Sequence, residues 1–328
     1  MKPVLFLVYK RLDLVKQVFT AIKQYQPKRL YVAADGAKNE IDFATCQQVR
    51  EYILTEIDWE CEVLTLFREE NLGSSLAVSS AISWFFEHEE EGIILEDDCC
   101  PSQSFFTYCE QMLDFYSDSP EVMQISGCNG YGSFPLKDPY FFSKFPICWG
   151  WATWRRAWQN FDLSMNHLDA SNYKEFFWNH FSQDYNQYVY WLTIYENVIQ
   201  GKYDCWDYQW WFSIWKNNGI TINTKENFIK NIGFSLDALH TKNINSPLGN
   251  LQTWENFEPT SKLKKIKINR KIDNLIFYYL FREEYGSTFH TVKKKRIRIK
   301  NNLVKDLLKN KISVKDFLYI AKKRIFKS

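Results

Sequence analysis

Residues 92–101 read GIILEDDCCP. An apolar run suited to a fully buried strand ends directly in three adjacent carboxylates, Glu96, Asp97 and Asp98. Mutual repulsion is hardest to relieve there, so the triplet asks for a cation. Working back toward the N-terminus, β-rich runs alternate with amphipathic helical stretches. PVLFLVY (3–9) reads as a buried strand, and LDLVKQVFTAIKQY (12–25) as a helix with Leu12, Val15, Phe19 and Ile22 on one face. RLYVAADG (29–36) is a second strand ended by glycine, 39–57 a helix, CEVLTLFRE (61–69) a third strand, and SLAVSSAISWFFEH (75–88) a helix. GIIL (92–95) is then the fourth strand. The alternation predicts an α/β fold, a mostly parallel sheet with right-handed crossovers flanked by helices. Ligands bind such sheets outside the carboxyl ends of the strands. Tyr9-Lys10-Arg11, Asp35-Gly36 and the acidic triplet all fall at those ends.

Beyond residue 100 the rhythm weakens. A helix over 102–117 precedes a strand VMQISGC (122–128), followed by the aromatic segment YFFSKFPICWGWATWRRAW (140–158). A long helical stretch spans 174–200, then come YDCWDYQWWFSIWKNNG (203–219) and a strand ITINT (220–224). No internal repeat is present. From 261 onward basic and apolar residues interleave, which places a boundary near 258: one domain over 1–258, with halves of about 1–128 and 129–258, and a basic region over 259–328.

The 328 residues suffice for a sizeable core, and 45% hydrophobic with 24% charged residues are the proportions of a globular protein. Thirteen Trp, 19 Tyr and 26 Phe exceed what a core needs and suit surfaces that hold ring-shaped ligands such as sugars. The opening MKPVLFLVYKRLD has an apolar run too short for a signal peptide or a membrane span. The eight cysteines (46, 61, 99, 100, 109, 128, 148 and 205) form no CxxC pair and read as reduced core residues of a cytosolic protein. Residues 261–328 carry 21 Lys+Arg against 5 Asp+Glu, a net +16, whereas residues 1–260 carry 20 against 34, a net −14. These are two electrostatic objects.

Asp98 alone would suffice to cap a helix starting near Pro101-Ser102. Three carboxylates at the mouth of a parallel sheet fit better with a hard divalent cation that keeps positions open for phosphate oxygens. GxGxxG and GxxxxGK[ST] are both absent. A diphosphate here would be neutralised by metal and side chains rather than by a glycine-rich loop.

The ordered set PVLFLVYKR, AADG, NLGSS (71–75), LEDD, CWGWATWRRAW (148–158), WDYQWW (206–211) and IGFSLDALHT (232–241) resembles the GT-A fold glycosyltransferases, over about residues 3–245. Within that class it is similar to the branch of N-acetylglucosaminyltransferases and bacterial sugar transferases of surface-polysaccharide or lipooligosaccharide assembly. The resemblance implies that Tyr9 and Arg11 border the nucleotide, that Asp35 accepts a hydrogen bond from uracil, and that Asp98 holds Mn²⁺ or Mg²⁺ on the diphosphate. Glu96 and Asp97 would face ribose and donor sugar, with Asn71 and Gly73 in the same nucleotide-sugar site. Lys10 stands where the family often has Asn, and Cys99-Cys100 where apolar or small residues are common.

It further implies that Asp207, in a Trp-Asp pair at the head of a helix, is the general base of an inverting hexosyl- or N-acetylhexosaminyltransferase. A carboxylate among Trp206, Tyr208, Trp210 and Trp211 suits that role, and capping a helix over 208–217 is the plainer alternative. Trp149, Trp151 and Trp206 offer an acceptor platform, unless Trp151 and Trp154 merely share one face of a core helix. His240 completes the metal site or is a loop residue. Arg68 reaches the diphosphate or pairs with Glu69 and Glu70.

The tail over 261–328 mixes bulky apolar residues with cations, as interfacial helices do. It points to an anionic membrane surface on the cytoplasmic face, useful for a lipid-linked acceptor, and not to nucleic acid. A sugar nucleotidyltransferase is disfavoured because YKRLDLVK lacks the glycine that its first loop needs. A glycan-binding protein without catalysis remains a distinct reading.

Overall fold

Five successive buried residues make β1 (Val4–Val8) the heart of the sheet. The computed structural model describes residues 1–165, 172–234, 247–258 and 260–281. His240, the rest of 235–241 and the basic chain beyond 281 lie outside the described residues. The expected alternation is realised: β1, α1 (Leu12–Tyr25), β2 (Arg29–Ala34), α2 (Glu40–Glu56), β3 (Glu62–Phe67), α3 (Gly73–His88) and β4 (Glu91–Glu96) follow in turn. β5 (Cys99–Pro101), α4 (Gln103–Tyr116), β6 (Val122–Ser126), β7 (Tyr140–Ser143), β8 (Trp151–Trp154), α5 (Arg155–Trp158), α6 (Tyr173–Phe181) and α7 (Tyr185–Ile199) come next. α8 (Asp207–Lys216), β9 (Ile220–Thr224), β10 (Ile229–Asn231) and α9 (Arg270–Leu280) complete the series.

Among the described residues the main sheet runs β3-β2-β1-β4-β8-β6-β9-β7. β1 pairs in parallel with β2 and β4, β2 with β3, and β6 with β9, while β8 and β7 run antiparallel to their neighbours. β1, β2 and β4 are apolar without alternation because helices cover both faces, the pattern of a parallel sheet. α1, α2 and α4 pack beside one another, and α3, which carries the chain from β3 across to β4, packs with α5. β5 and β10 form a small antiparallel pair in which Asn231 faces Cys99.

The chain divides into two units, residues 1–165 with 204–280, and residues 166–203 with 281–328. In the second, the helical stretch expected over 174–200 breaks where Asp184 caps α7 by accepting from Asn186 N at 2.9 Å. α6 and α7 pack through Phe177 on Tyr195 and Phe181 on Trp191. In the first, the aromatic segment 140–158 is not a helix. β8 pairs Trp151 with Ile94 and Ala152 with Ile125, so Trp151 and Trp154 lie on opposite faces of a strand. All eight cysteines are free thiols, six of them buried. No helix among the described residues is long and apolar enough to cross a membrane.

Residues 260–280, beyond the boundary expected near 258, belong to the first unit. α9 is anchored there by the buried Asp273, which accepts from Ser143 Oγ at 2.6 Å and Lys144 N at 3.2 Å. Burial pushes Asp273 up to about 6, against these hydrogen bonds and the Lys144 charge. Because the folded state holds this proton more tightly than the unfolded chain, stability from this group is present below pH 4 and lost as pH rises to about 6. Asp273→Asn removes the charge and leaves one oxygen to accept where the carboxylate used two. The wild type is therefore expected to gain on the variant by up to about 3 kcal/mol between pH 7 and pH 4. Paired denaturant titrations across that range measure the difference, and parallel pH profiles would rule the assignment out.

Candidate active site

The direction in which strands are added reverses between β1 and β4, and in open α/β sheets the carboxyl ends of the strands at such a point are where ligands bind. Leu7 stands in register with Glu96, which brings the loop after β1 and the acidic triplet to one place. Arg11 answers the charge. Its Nε donates to Asp97 at 3.3 Å, and its Nη2 donates to Asp97 and, at 2.9 Å, to Asp98 Oδ2. Burial opposes the Arg11 charge, but the two carboxylates more than restore it.

Burial raises Asp97, Arg11 lowers it and Asp98 raises it again, leaving it at about 6. Glu96 is held well above the ordinary carboxylate range by burial and by the charges of Asp98, Asp97 and Asp207. One guanidinium, Arg11, answers the three adjacent carboxyl groups.

Asp98 is the member of the Arg11-bound pair that can reach a ligand, with 17% of its side chain accessible against 6% for Asp97. Its Oδ1 accepts from the Cys99 thiol at 3.4 Å. The β5–β10 pairing lays residues 232–234 against it, and Ile232 N donates to the Asp98 carbonyl at 2.8 Å. A Cβ on Gly233 would meet Asp98 Cβ and Cγ at 2.9 Å, and Oδ2 closer still. Gly233→Ala is therefore expected to displace this carboxylate, lowering stability by about 1–3 kcal/mol and metal-dependent ligand affinity roughly tenfold. Thermal denaturation and nucleotide titration on one preparation test this, and unchanged affinity would show that Asp98 is not positioned for a ligand.

The donor set fits a hard divalent cation. Mg²⁺ or Mn²⁺ takes one or two protein carboxylates and fills its remaining positions with phosphate oxygens and water. Asp98 supplies such a carboxylate. Among the described residues no group of three or more His, Cys, Asp or Glu side chains is placed to hold a metal ion.

The second strand end departs from expectation. Asp35 Oδ1 accepts from Gly36 N (2.9 Å) and Leu72 N (3.0 Å), and Oδ2 from Asn71 Nδ2 (2.9 Å) and Gly73 N (3.2 Å). Four donors fill a carboxylate, leaving no acceptor site for the hydrogen bond from uracil expected of Asp35. Its work is to hold the loop that carries Asn71 and Gly73. Asn71 Nδ2 also donates to Gly36 O at 2.8 Å, and a Cβ on Gly36 would meet Glu69 O at 2.6 Å, so the loop lies directly on the strand end. Asn71 and Gly73 (φ +76°) are thus held at the end of β2. Arg68 donates to Ser80 Oγ at 2.7 Å, toward α3.

Three features escaped the sequence. Asp42, buried in the first turn of α2, accepts from Lys10 Nζ at 2.7 Å and Tyr9 Oη at 3.1 Å. The Lys10 hydrogen bond, outweighing burial and joined by Tyr9, lowers the Asp42 pKa, while burial, with Asp42 adding, pushes the Tyr9 phenol up to about 12. Lys10, which stands where the resembled glycosyltransferases often have Asn, is thereby tied to a carboxylate in the first turn of α2.

Asp204 is the second. It accepts from Ser74 N at 3.3 Å and Ser75 N at 3.1 Å, capping α3 from across the fold, and Ser75 Oγ donates to Cys205 O at 2.8 Å. The α3 N-terminus is therefore occupied by protein carboxylates. The third is Gly233 itself, whose lack of a side chain admits Asp98.

Asp207 follows three residues after Asp204, near enough to the acidic triplet for its charge to act on Glu96. Asp207 is the first residue of α8, and Trp206 takes the capping position. The Asp207 charge helps raise Glu96, and, after burial, Cys148 and Cys205. Among the three expected platform residues, Trp151 is fully buried and Trp206 is 4% exposed; they stack at 5.7 Å and 22°. Trp151 is core because its strand lies inside the sheet, so it offers no ring to a sugar. Trp149 is partly accessible, edge-on to Phe234 at 6.0 Å.

The fold is thus Rossmann-like α/β, with a mostly parallel sheet and an acidic cluster bound by Arg11 at its switch point. No protein-family model matches the chain, and no curated protein sequence does. Among solved structures it is similar to the mannosyltransferase PcManGT from Pyrobaculum calidifontis in complex with GDP-Man and Mn²⁺ (12% identity, 65% of this chain and 73% of that one, TM-score 0.35). HddC from Yersinia pseudotuberculosis (12%, 48% and 78%, TM-score 0.29) and an apo UDP-glucose pyrophosphorylase (8%, 70% and 93%, TM-score 0.32) are also similar. Likenesses this distant say nothing about which residues act, or on what.

Proposed function

We propose that the protein is a divalent-metal-dependent glycosyltransferase that moves a hexosyl or N-acetylhexosaminyl group from a UDP-sugar to a hydroxyl of a glycan, with inversion, in bacterial surface polysaccharide or lipooligosaccharide synthesis. One observation carries the reading: Arg11, Glu96–Asp98, Gly233 and the Asp207 charge converge where the strand order reverses.

Asp98 would hold Mn²⁺ or Mg²⁺, which supplies charge neutralisation for the departing diphosphate. His240 is a further proposed ligand. Tyr9 and Arg11 border the nucleotide, and Glu96 and Asp97 face ribose and donor sugar. Asp207 takes the proton of the acceptor hydroxyl as its oxygen bonds to the anomeric carbon; the bond to the diphosphate oxygen breaks, and its electron pair leaves with UDP. Trp149, the partly accessible member of the expected platform, would face the acceptor. The protein would act in the cytoplasm, where a lipid-linked acceptor would present itself at the inner face of the membrane.

Incubation with Mn²⁺, a panel of UDP-sugars and glycan acceptors tests the reading. Acceptor-dependent release of UDP is expected. Formation of a nucleotide sugar from nucleoside triphosphate and sugar phosphate would instead identify a nucleotidyltransferase.

A further inference from the structure

The segment after residue 260 does more than close the fold. β7 is the last strand in the sheet order, and residues 263–269 run along it. Leu263 N donates to Tyr140 Oη at 2.8 Å, Ile268 bridges Phe142, and Asn269 N donates to the Phe142 carbonyl at 2.8 Å. Asp273 then pins α9, so the side chains between these ties project from a fixed backbone.

Lys262, Lys264, Lys265, Lys267, Arg270 and Lys271 are all exposed. The acid of this stretch, Asp273, is buried on the inner side of α9, bound to Ser143 and Lys144. Lys264, Lys265 and Lys267 line a groove of about 340 Å³ beside β7 together with Asp138. On α9, Lys271, Leu275 and Tyr278 follow at spacings of four and three, one helical face, and Leu275 and Tyr278 are 48% and 42% exposed.

We propose that this patch docks the protein on an anionic lipid bilayer. The lysines meet headgroup phosphates, Leu275 enters the boundary of the acyl region, and Tyr278 lies at headgroup level. A nucleic-acid backbone would answer the lysines equally well, but it offers nothing to an exposed leucine flanked by cations. The sequence beyond 281 continues the theme, with 15 Lys+Arg against 4 Asp+Glu over 282–328. The inference is independent of the transferase reading, since none of these residues belongs to the strand-end crevice.

The test is co-sedimentation of the full chain with phosphatidylglycerol-containing vesicles, pure phosphatidylcholine vesicles as control, and RNA as competitor. Binding to the anionic vesicles is expected to weaken with salt. It should fall roughly 100-fold in the triple variant Lys264→Gln, Lys265→Gln, Lys267→Gln, and about tenfold in Leu275→Ser, Tyr278→Ser. All five positions are exposed, and unchanged melting temperatures confirm intact folding. Retained affinity in both variants would overturn the proposal, placing any binding elsewhere in the chain. Loss in the lysine variant alone, with RNA competing fully, would also overturn it and identify a polyanion site.

Discussion

Asp207→Asn is expected to lower kcat for sugar transfer by roughly 10²- to 10⁴-fold, the usual contribution of a positioned base. UDP affinity should stay within about threefold of wild type. The substitution preserves shape at the first position of α8, where Trp206 rather than Asp207 occupies the capping site. What it removes is a proton acceptor and the charge that helps raise Glu96, Cys148 and Cys205. The split is diagnostic. A base lost without disturbing the ground state changes kcat and spares nucleotide binding, whereas a structural role would depress both with the melting temperature. Transfer within threefold of wild type would remove Asp207 from the mechanism and reopen a retaining course.

Asp98→Ala is expected to have the second large effect, a loss of roughly 100-fold or more in Mn²⁺-supported UDP affinity and of detectable turnover. Asp98 is partly accessible, carries one of the Arg11 contacts and is the carboxylate for which Gly233 makes room. Removing it leaves Arg11 on Asp97 alone, which preserves the buried pair and protects the fold. Protein-bound Mn²⁺ followed by electron paramagnetic resonance reports the change directly. Wild-type Mn²⁺ binding in the nucleotide complex of the variant would show that another group holds the metal.

The sheet was legible because its first half obeys local rules. Leu12–Tyr25 begins and ends where the apolar periodicity does, and unbroken runs such as VLFLV can only be strands covered on both faces. The aromatic segment 140–158 was not legible, since Trp151 and Trp154 satisfy a helical spacing equally well. Pairing with Ile94 and Ile125, distant in sequence, decides for a strand.

The site followed the same division. The strand-end rule located Arg11 and Glu96–Asp98, whereas the partners of Asp35 and Asp42 depend on loops whose approach no spacing encodes. An aspartate after a strand looks the same in sequence whether it faces a base or four backbone and side-chain donors. Gly73 and Gly233 carried a signal that was only half readable: each marks a close approach, but not to which atoms.

The central claim is that the strand-end crevice binds a nucleoside diphosphate through a divalent cation. Calorimetric titration of UDP into the protein with and without Mn²⁺, with GDP and CMP as controls, tests it most directly. The account predicts UDP binding that requires Mn²⁺ and exceeds that of both controls. Absence of binding by any of the three nucleotides, with or without Mn²⁺, would contradict it and leave a glycan-binding protein on the same fold.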